Sequence, residues 1–245
     1  MFNAKNTSLQ LISWLEDYFR ENAAPETKAV IGISGGKDSS IACALCVAAL
    51  GKERVLGVLM PQGYQDDIGF SYDLCQTLGI KYVKINIAAP ALNIYAELER
   101  SGLTPNTVAT FNTPARLRMT TLYAVSAIVS GRVINTCNLS EEWVGYSTKF
   151  GDSAGDLSPF SLLTVTEVKA VGHYLGLPDR FIEKIPVDGL CGKTDEENLG
   201  FTYEVLDKYI RTGVCENKEI KARIDRLNEM NLHKLKPMPV FKYNG

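Results

Sequence analysis

The sequence predicts an α/β protein, a three-layer sandwich in which helices cover both faces of a parallel sheet. Two patterns carry this expectation. Short β-branched runs alternate with longer segments whose apolar residues recur at helical spacing, and the first of those runs leads through a glycine turn directly into a helix. The 245 residues, 45% hydrophobic and 22% charged, are a globular composition large enough to bury a sizeable core. No internal repeat or linker-like stretch divides them, so residues 1–245 are expected to form a single domain.

Taken in order, Leu9, Ile12, Leu15 and Phe19 mark an amphipathic opening helix, with Ser8 as its expected cap and Pro25 closing the region. Residues 28–33 are the first strand. The turn Ser34-Gly35-Gly36-Lys37-Asp38-Ser39-Ser40 follows, and the apolar run after it reads as a helix to about Leu50. Strands are expected at 55–60 and 80–87, with helices at 67–78 and 91–100. A long helix over 114–130 precedes a fourth strand at 132–136 that ends in a polar turn. Residues 145–159 break the pattern: four glycines and prolines stand among Ser, Thr, Lys and Asp, as in a mobile polar loop with a function. Helices resume at 165–175, 195–211 and 217–230.

Composition also excludes partners. With 26 basic and 28 acidic residues the net charge is −2, which gives no diffuse attraction to nucleic acid or anionic lipid. The longest apolar stretch, 41–50, is half of what a bilayer span requires, so no membrane is expected. The N-terminus lacks a signal-peptide pattern, and six scattered cysteines (43, 46, 75, 137, 191 and 215) suit buried thiols in a reducing, cytoplasmic compartment.

The glycine turn carries the chemistry. Two glycines let the backbone approach an anion while the following helix N-terminus points free N–H groups at it. A plain βα turn is the alternative, but the hydroxyls of Ser34, Ser39 and Ser40 together with Lys37 and Asp38 favour phosphate. A Walker A loop does not fit, because Ile31 stands where its first glycine belongs and Asp38 replaces its hydroxyl. A carboxylate beside a phosphate cradle repels it unless a cation intervenes, so Asp38 implies Mg²⁺.

Ser34-Gly35-Gly36-Lys37-Asp38-Ser39 resembles the SGGxDS loop of the N-type ATP pyrophosphatases. Segments further along are similar to those of NAD synthetases in particular: Asn112-Thr113-Pro114-Ala115-Arg116-Leu117-Arg118-Met119, Asn135-Thr136-Cys137-Asn138-Leu139-Ser140-Glu141, Tyr146 to Asp152 with Asp156, Gly192-Lys193-Thr194-Asp195-Glu196, and His233-Lys234. The resemblance implies an adenine nucleotide alpha hydrolase-like (Rossmann-like) fold and a homodimer. The length leaves no room for a fused glutaminase, which points to the ammonia-dependent branch. ATP would adenylate the nicotinate carboxylate of deamido-NAD, releasing pyrophosphate, and ammonia would then displace AMP to give NAD.

The roles implied by that resemblance are these. Gly32, Ser34, Gly35, Gly36, Lys37, Asp38 and Ser39 would bind ATP, with Thr136 and Thr194, and Asp38 and Glu141 would hold Mg²⁺. Arg116, Lys149, Asp156, His233 and Lys234 would contact deamido-NAD. Asp38, Lys149 and Asp152 would be catalytic, Asp152 by attracting ammonium and taking its proton. Two departures stand out. Val165 occupies the place of a phosphate-contacting lysine, whose contact would fall to Lys37, Lys169 or Lys193 or be dispensable, and Asn135 opens its turn in place of glycine. Two rivals remain: another pyrophosphatase-loop enzyme that amidates or thiolates a different acceptor, and a nucleotide-binding module without turnover.

Overall fold

The computed structural model describes residues 2–184 and 194–243. Four parallel strands, β1 (Ala29–Gly32), β2 (Val55–Leu59), β3 (Lys81–Lys84) and β4 (Arg132–Val133), lie in the order β3-β2-β1-β4. The order reverses at β1, so the crevice past its carboxyl end is where an open α/β sheet binds its ligand. Alternation along the strands separates two cores. Ala29, Ile31, Val55 and Leu59 face one side with α1 (Ala4–Asn22), α2 (Lys37–Leu50), α3 (Ile68–Leu78), α7 (Val165–Tyr174) and α8 (Asp179–Ile182). Val30, Leu56, Val58 and Val133 face the other, against Met119, Leu122 and Val125 of α5 (Thr107–Ile128). The expected three-layer sandwich is therefore present. Exposed β3 is an edge strand with a lysine at each end, which discourages edge-to-edge pairing.

The expected elements occur with local differences. Asn3, not Ser8, caps α1 by accepting from Asn6 N–H, and Ser8 is buried. α5 starts seven residues before the expected 114, because Asn106 caps it, and Pro114 lies inside the helix. α4 (Ala88–Arg100) precedes it. The helix expected at 195–211 is two, α9 (Asp195–Leu199) and α10 (Tyr203–Thr212), because left-handed Gly200 stops the first and Thr202 caps the second. α6 (Leu139–Trp143) and α11 (Lys218–Leu235) join them around Val144, Leu206 and Ile224.

Cys43, Cys46, Cys75 and Cys137 are buried free thiols as expected, and Cys215 is half-buried. Cys191, Gly192 and Lys193 lie outside the described residues. No helix among the described residues is long and apolar enough to cross a membrane.

Candidate active site

The glycine turn leaves the carboxyl end of β1 and becomes α2 with Gly36 as its cap residue, and no side chain closes the helix end. Ser34 Oγ accepts from Gly36 N–H at 3.2 Å and lies 3.0 Å from Ser39 Oγ, while Ser40 Oγ donates to Gly36 O. The hydroxyls thus brace the turn and leave the first α2 N–H groups facing outward. This is the electropositive concavity that an oligophosphate requires. The whole predicted loop, Gly32 through Ser39, is assembled here.

Asp38 and Glu141, 103 positions apart by sequence number, meet over Lys37. Lys37 Nζ lies 2.8 Å from Asp38 Oδ2 and 3.4 Å from Glu141 Oε1, and its side chain is only 4% exposed. Burial opposes the ammonium charge, but the two carboxylates outweigh it and raise the Lys37 pKa. Burial first and the neighbouring Asp38 second push Glu141 well above the ordinary carboxylate range, and Lys37 only partly opposes them. Buried Asn138 aligns the pair: its Oδ1 caps α6 by accepting from Glu141 N–H, and its Nδ2 donates to Asp38 Oδ1 at 3.2 Å. Ser140 Oγ anchors the same helix by donating to Asp207 and accepting from Val165 N–H.

Two carboxylates suit Mg²⁺ held jointly by protein and phosphate. That ion keeps most of its shell as water and phosphate oxygen instead of a full protein cage. Among the described residues no cluster of three or more His, Cys, Asp or Glu forms such a cage. Tyr203 closes the far wall, with its ring 5.6 Å from Lys37 Nζ and its hydroxyl donating to Asp195 at 3.3 Å. Thr194, beside Asp195, caps α9 in a capping box with Glu197.

The predicted acceptor residues form a second group reaching from α5 to α11. Arg116 Nε donates to Lys149 O at 3.2 Å, Lys149 Nζ to His233 O at 2.7 Å, and Lys234 Nζ to the carbonyls of Gly145 and Ser147. Asp152 accepts from Thr148 N–H at 2.8 Å. It keeps contact with solvent, yet the protein atoms crowding it raise its pKa, against the hydrogen bond from Thr148 and the charge of Lys234. Asp156, exposed overall, accepts from Val133 N–H at 2.7 Å and from Tyr123. The 145–159 segment, expected to be a mobile polar loop, folds as turns against the end of β4. Between the two groups stands half-buried Thr136, next to buried Cys137. Burial, and then Asp152, Glu141, Glu142 and Asp38, raise the pKa of the Cys137 thiol.

Four residues near the site carry no role implied by the sequence. Asn138 and Arg118 belong to the segments similar to those of NAD synthetases; Arg118 Nε donates to Met60 O, and its charge attracts Asp152. Tyr203 carried no motif. Lys184 is the fourth: its Nζ pairs with Asp67 at 2.5 Å, lies over the Phe70 ring, and stands 3.6 Å from where a Cβ on Gly35 would be. Of the lysines named for the contact missing at Val165, Lys169 is engaged with Glu183 at 2.6 Å and Lys37 with the carboxylate pair.

The parallel sheet and the glycine loop leading from β1 into α2 define a class, the α/β proteins with a Rossmann-like sheet and a candidate site at the carboxyl end of β1. Within it the chain belongs to the NAD synthase family, whose model matches residues 8–240. It is 34% identical to the NH(3)-dependent NAD(+) synthetase of Alkaliphilus metalliredigens over 241 residues, covering 94% of this chain and 96% of that one. Among solved structures it superposes on the NMN synthetase of Francisella tularensis with a TM-score of 0.90 at 31% identity, covering 99% of this chain and 100% of that one. The NH3-dependent NAD synthetase of Campylobacter jejuni gives 0.79 at 26% identity, with coverage of 99% and 100%.

Proposed function

We propose that this chain is an ammonia-dependent NAD synthetase, a ligase that forms the carboxamide of NAD from deamido-NAD, ammonia and ATP. The observation that carries this reading is the pairing of Asp38 and Glu141 at the mouth of the Ser34–Ser39 loop, in a chain whose family model spans residues 8–240. A free carboxylate resists ammonia because its charge repels the nucleophile and oxide is a poor leaving group. Adenylation removes both obstacles.

In this reading the β- and γ-phosphates lie against the α2 N-terminus, where N–H groups and the hydroxyls of Ser34 and Ser39 meet the charge that develops on departing pyrophosphate. Asp38 and Glu141 would hold Mg²⁺, which would supply charge neutralisation to the phosphates. Lys37 and Asn138 keep the two carboxylates together, and Lys184 adds a cation beside Gly35 where Val165 supplies none. Thr136 and Thr194 flank the nucleotide. Arg116, Lys149, Asp156, His233 and Lys234 line the acceptor side, with the last four also tying the loop to β4 and α11. Asp152 attracts ammonium and takes its proton, a task helped by a raised pKa. The folded loop excludes water that would hydrolyse the adenylate.

The reading extends to one domain over 1–245, a cytoplasmic location and a homodimer. Leu92, Val108, Phe111 and Ile128, apolar and open on α4 and α5, are the surface a second copy would cover. The likeness to an NMN synthetase favours a second reading for the acceptor, nicotinate mononucleotide, which presents the same carboxylate without the adenylyl half. Initial rates with ATP, Mg²⁺, ammonium and each acceptor in turn decide between them. NAD formation at the higher kcat/KM supports the first reading, preference for the mononucleotide the second, and amidation of neither refutes both.

A further inference from the structure

Buried Asn135, 3% exposed, stands two residues past β4 and one past the backbone bridge between Ile134 and Leu157. Its amide is saturated: Nδ2 donates to Asp152 O at 2.7 Å and Ala154 O at 3.0 Å, while Oδ1 accepts from Cys137 N–H at 2.8 Å and Ser158 Oγ at 3.1 Å. The partners fix its orientation, since two carbonyls require the NH₂ and a backbone N–H requires the oxygen. The backbone joins in, with Asn135 N–H donating to Leu157 O at 2.8 Å. Gly155 crosses so close that a Cβ there would lie 2.8 Å from Asn135 Cβ. One side chain therefore ties both limbs of the 152–158 turn to the end of β4, and Cys137 Sγ adds a contact to the same Asp152 carbonyl at 3.2 Å.

We propose that Asn135 is a positioning residue that keeps the Asp152 turn closed before any ligand binds, and thereby couples adenylate formation to amidation. This rests on the reading of Asp152 and the acyl adenylate given above. A turn that is already closed holds Asp152 where ammonia must arrive and denies water the same carbonyl carbon. When the turn loosens, water attacks that carbon. The acyl–oxygen bond to AMP breaks, the free carboxylate is regenerated, and AMP and pyrophosphate accumulate without amide.

The test uses the full chain and compares the wild type with Asn135→Asp and Asn135→Ala. The aspartate keeps the acceptor oxygens for Cys137 and Ser158 but turns oxygen toward both loop carbonyls. The readouts are the AMP to NAD ratio, KM for deamido-NAD and for ATP, and hydrogen exchange of residues 145–159 without ligand. The wild type should give a ratio of one and slow exchange in the turn. Asn135→Asp should release AMP in several-fold excess over NAD and raise KM for deamido-NAD on the order of tenfold, with KM for ATP unchanged. A merely structural residue would lower all rates together and leave the ratio at one, and that result overturns the proposal. Should both variants fail to fold, wild-type exchange still decides: fast exchange at Ala154 and Asp156 in the free enzyme overturns it. If the wild type makes no NAD, the functional reading falls, while the exchange comparison still judges the tie made by Asn135.

Discussion

Gly145→Ala should destabilise the protein and detach α11 from the site. Gly145 has a φ of 74°, and an added Cβ would lie 1.8 Å from Asn231 Cγ, so the alanine is strained and the asparagine must leave. Left-handed backbone costs a non-glycine residue about 1–2 kcal/mol. Displacing Asn231 breaks its hydrogen bonds to Val144 O at 3.2 Å and Leu227 O at 2.7 Å, each a net ~0.5–1.5 kcal/mol. The total is roughly 2–5 kcal/mol, which for a chain of this size lowers the melting temperature by about 4–20 °C. Lys234 donates to Gly145 O, so KM for the acceptor should rise as well. Thermal unfolding of Gly145→Ala, Asn231→Ala and the double variant completes the cycle. Once Asn231 is gone only the backbone strain remains, so the double variant should fall short of the sum by about 1–3 kcal/mol, the two hydrogen bonds counted once. Strict additivity, or a Gly145→Ala melting point equal to wild type, would mean that the added Cβ does not displace Asn231.

Three further outcomes follow from the same geometry. Asp38→Asn should cut pyrophosphate release on the order of a hundredfold or more while the circular dichroism melt stays near wild type; near-normal release would sink the cation assignment. Lys184→Ala should raise KM for ATP about tenfold and leave KM for the acceptor alone, because its ammonium faces the Gly35 side of the site. For acid stability the key carboxylate is Glu167, where burial pushes upward but Arg211 and the Thr164 N–H outweigh it, setting the folded pKa below the ordinary 4.5. Stability from the ionised form is therefore present above that ordinary value and lost as the pH falls through the folded one. The melting difference between wild type and Arg211→Met should be largest near neutrality and shrink in acid, and a gap that widens in acid would reverse the sign of this argument.

Much of the candidate site's geometry could be read in the sequence because its glycine-loop half is local. A strand, two glycines, hydroxyls and a helix within a dozen residues fix their own geometry, so the Ser34–Ser39 loop folds as the spacing implies. The alternation of Val30 and Leu56 against Ile31 and Val55 likewise marks two covered faces. What the spacing hides is long-range pairing. Lys184 reaches Asp67 across 117 positions, Lys234 reaches Gly145 across 89, and Tyr203 faces Lys37 only because α10 folds back. Asp156 illustrates the same limit: the hydrogen bond it accepts from the Val133 N–H at the sheet edge joins residues 23 positions apart. Gly200 and Thr202, a stop and a cap, fall inside the single helix expected over 195–211, and the structure separates α9 from α10 there.

Activation of the carboxylate by adenylation at this loop and carboxylate pair has an isotopic signature. The experiment uses deamido-NAD carrying oxygen-18 in its nicotinate carboxylate, turned over with ATP, Mg²⁺ and ammonium, with mass analysis of AMP and pyrophosphate. Attack of the carboxylate on the α-phosphorus followed by displacement with ammonia leaves one labelled oxygen on each AMP and none on pyrophosphate. Unlabelled AMP, or label carried into pyrophosphate or inorganic phosphate, would contradict the account.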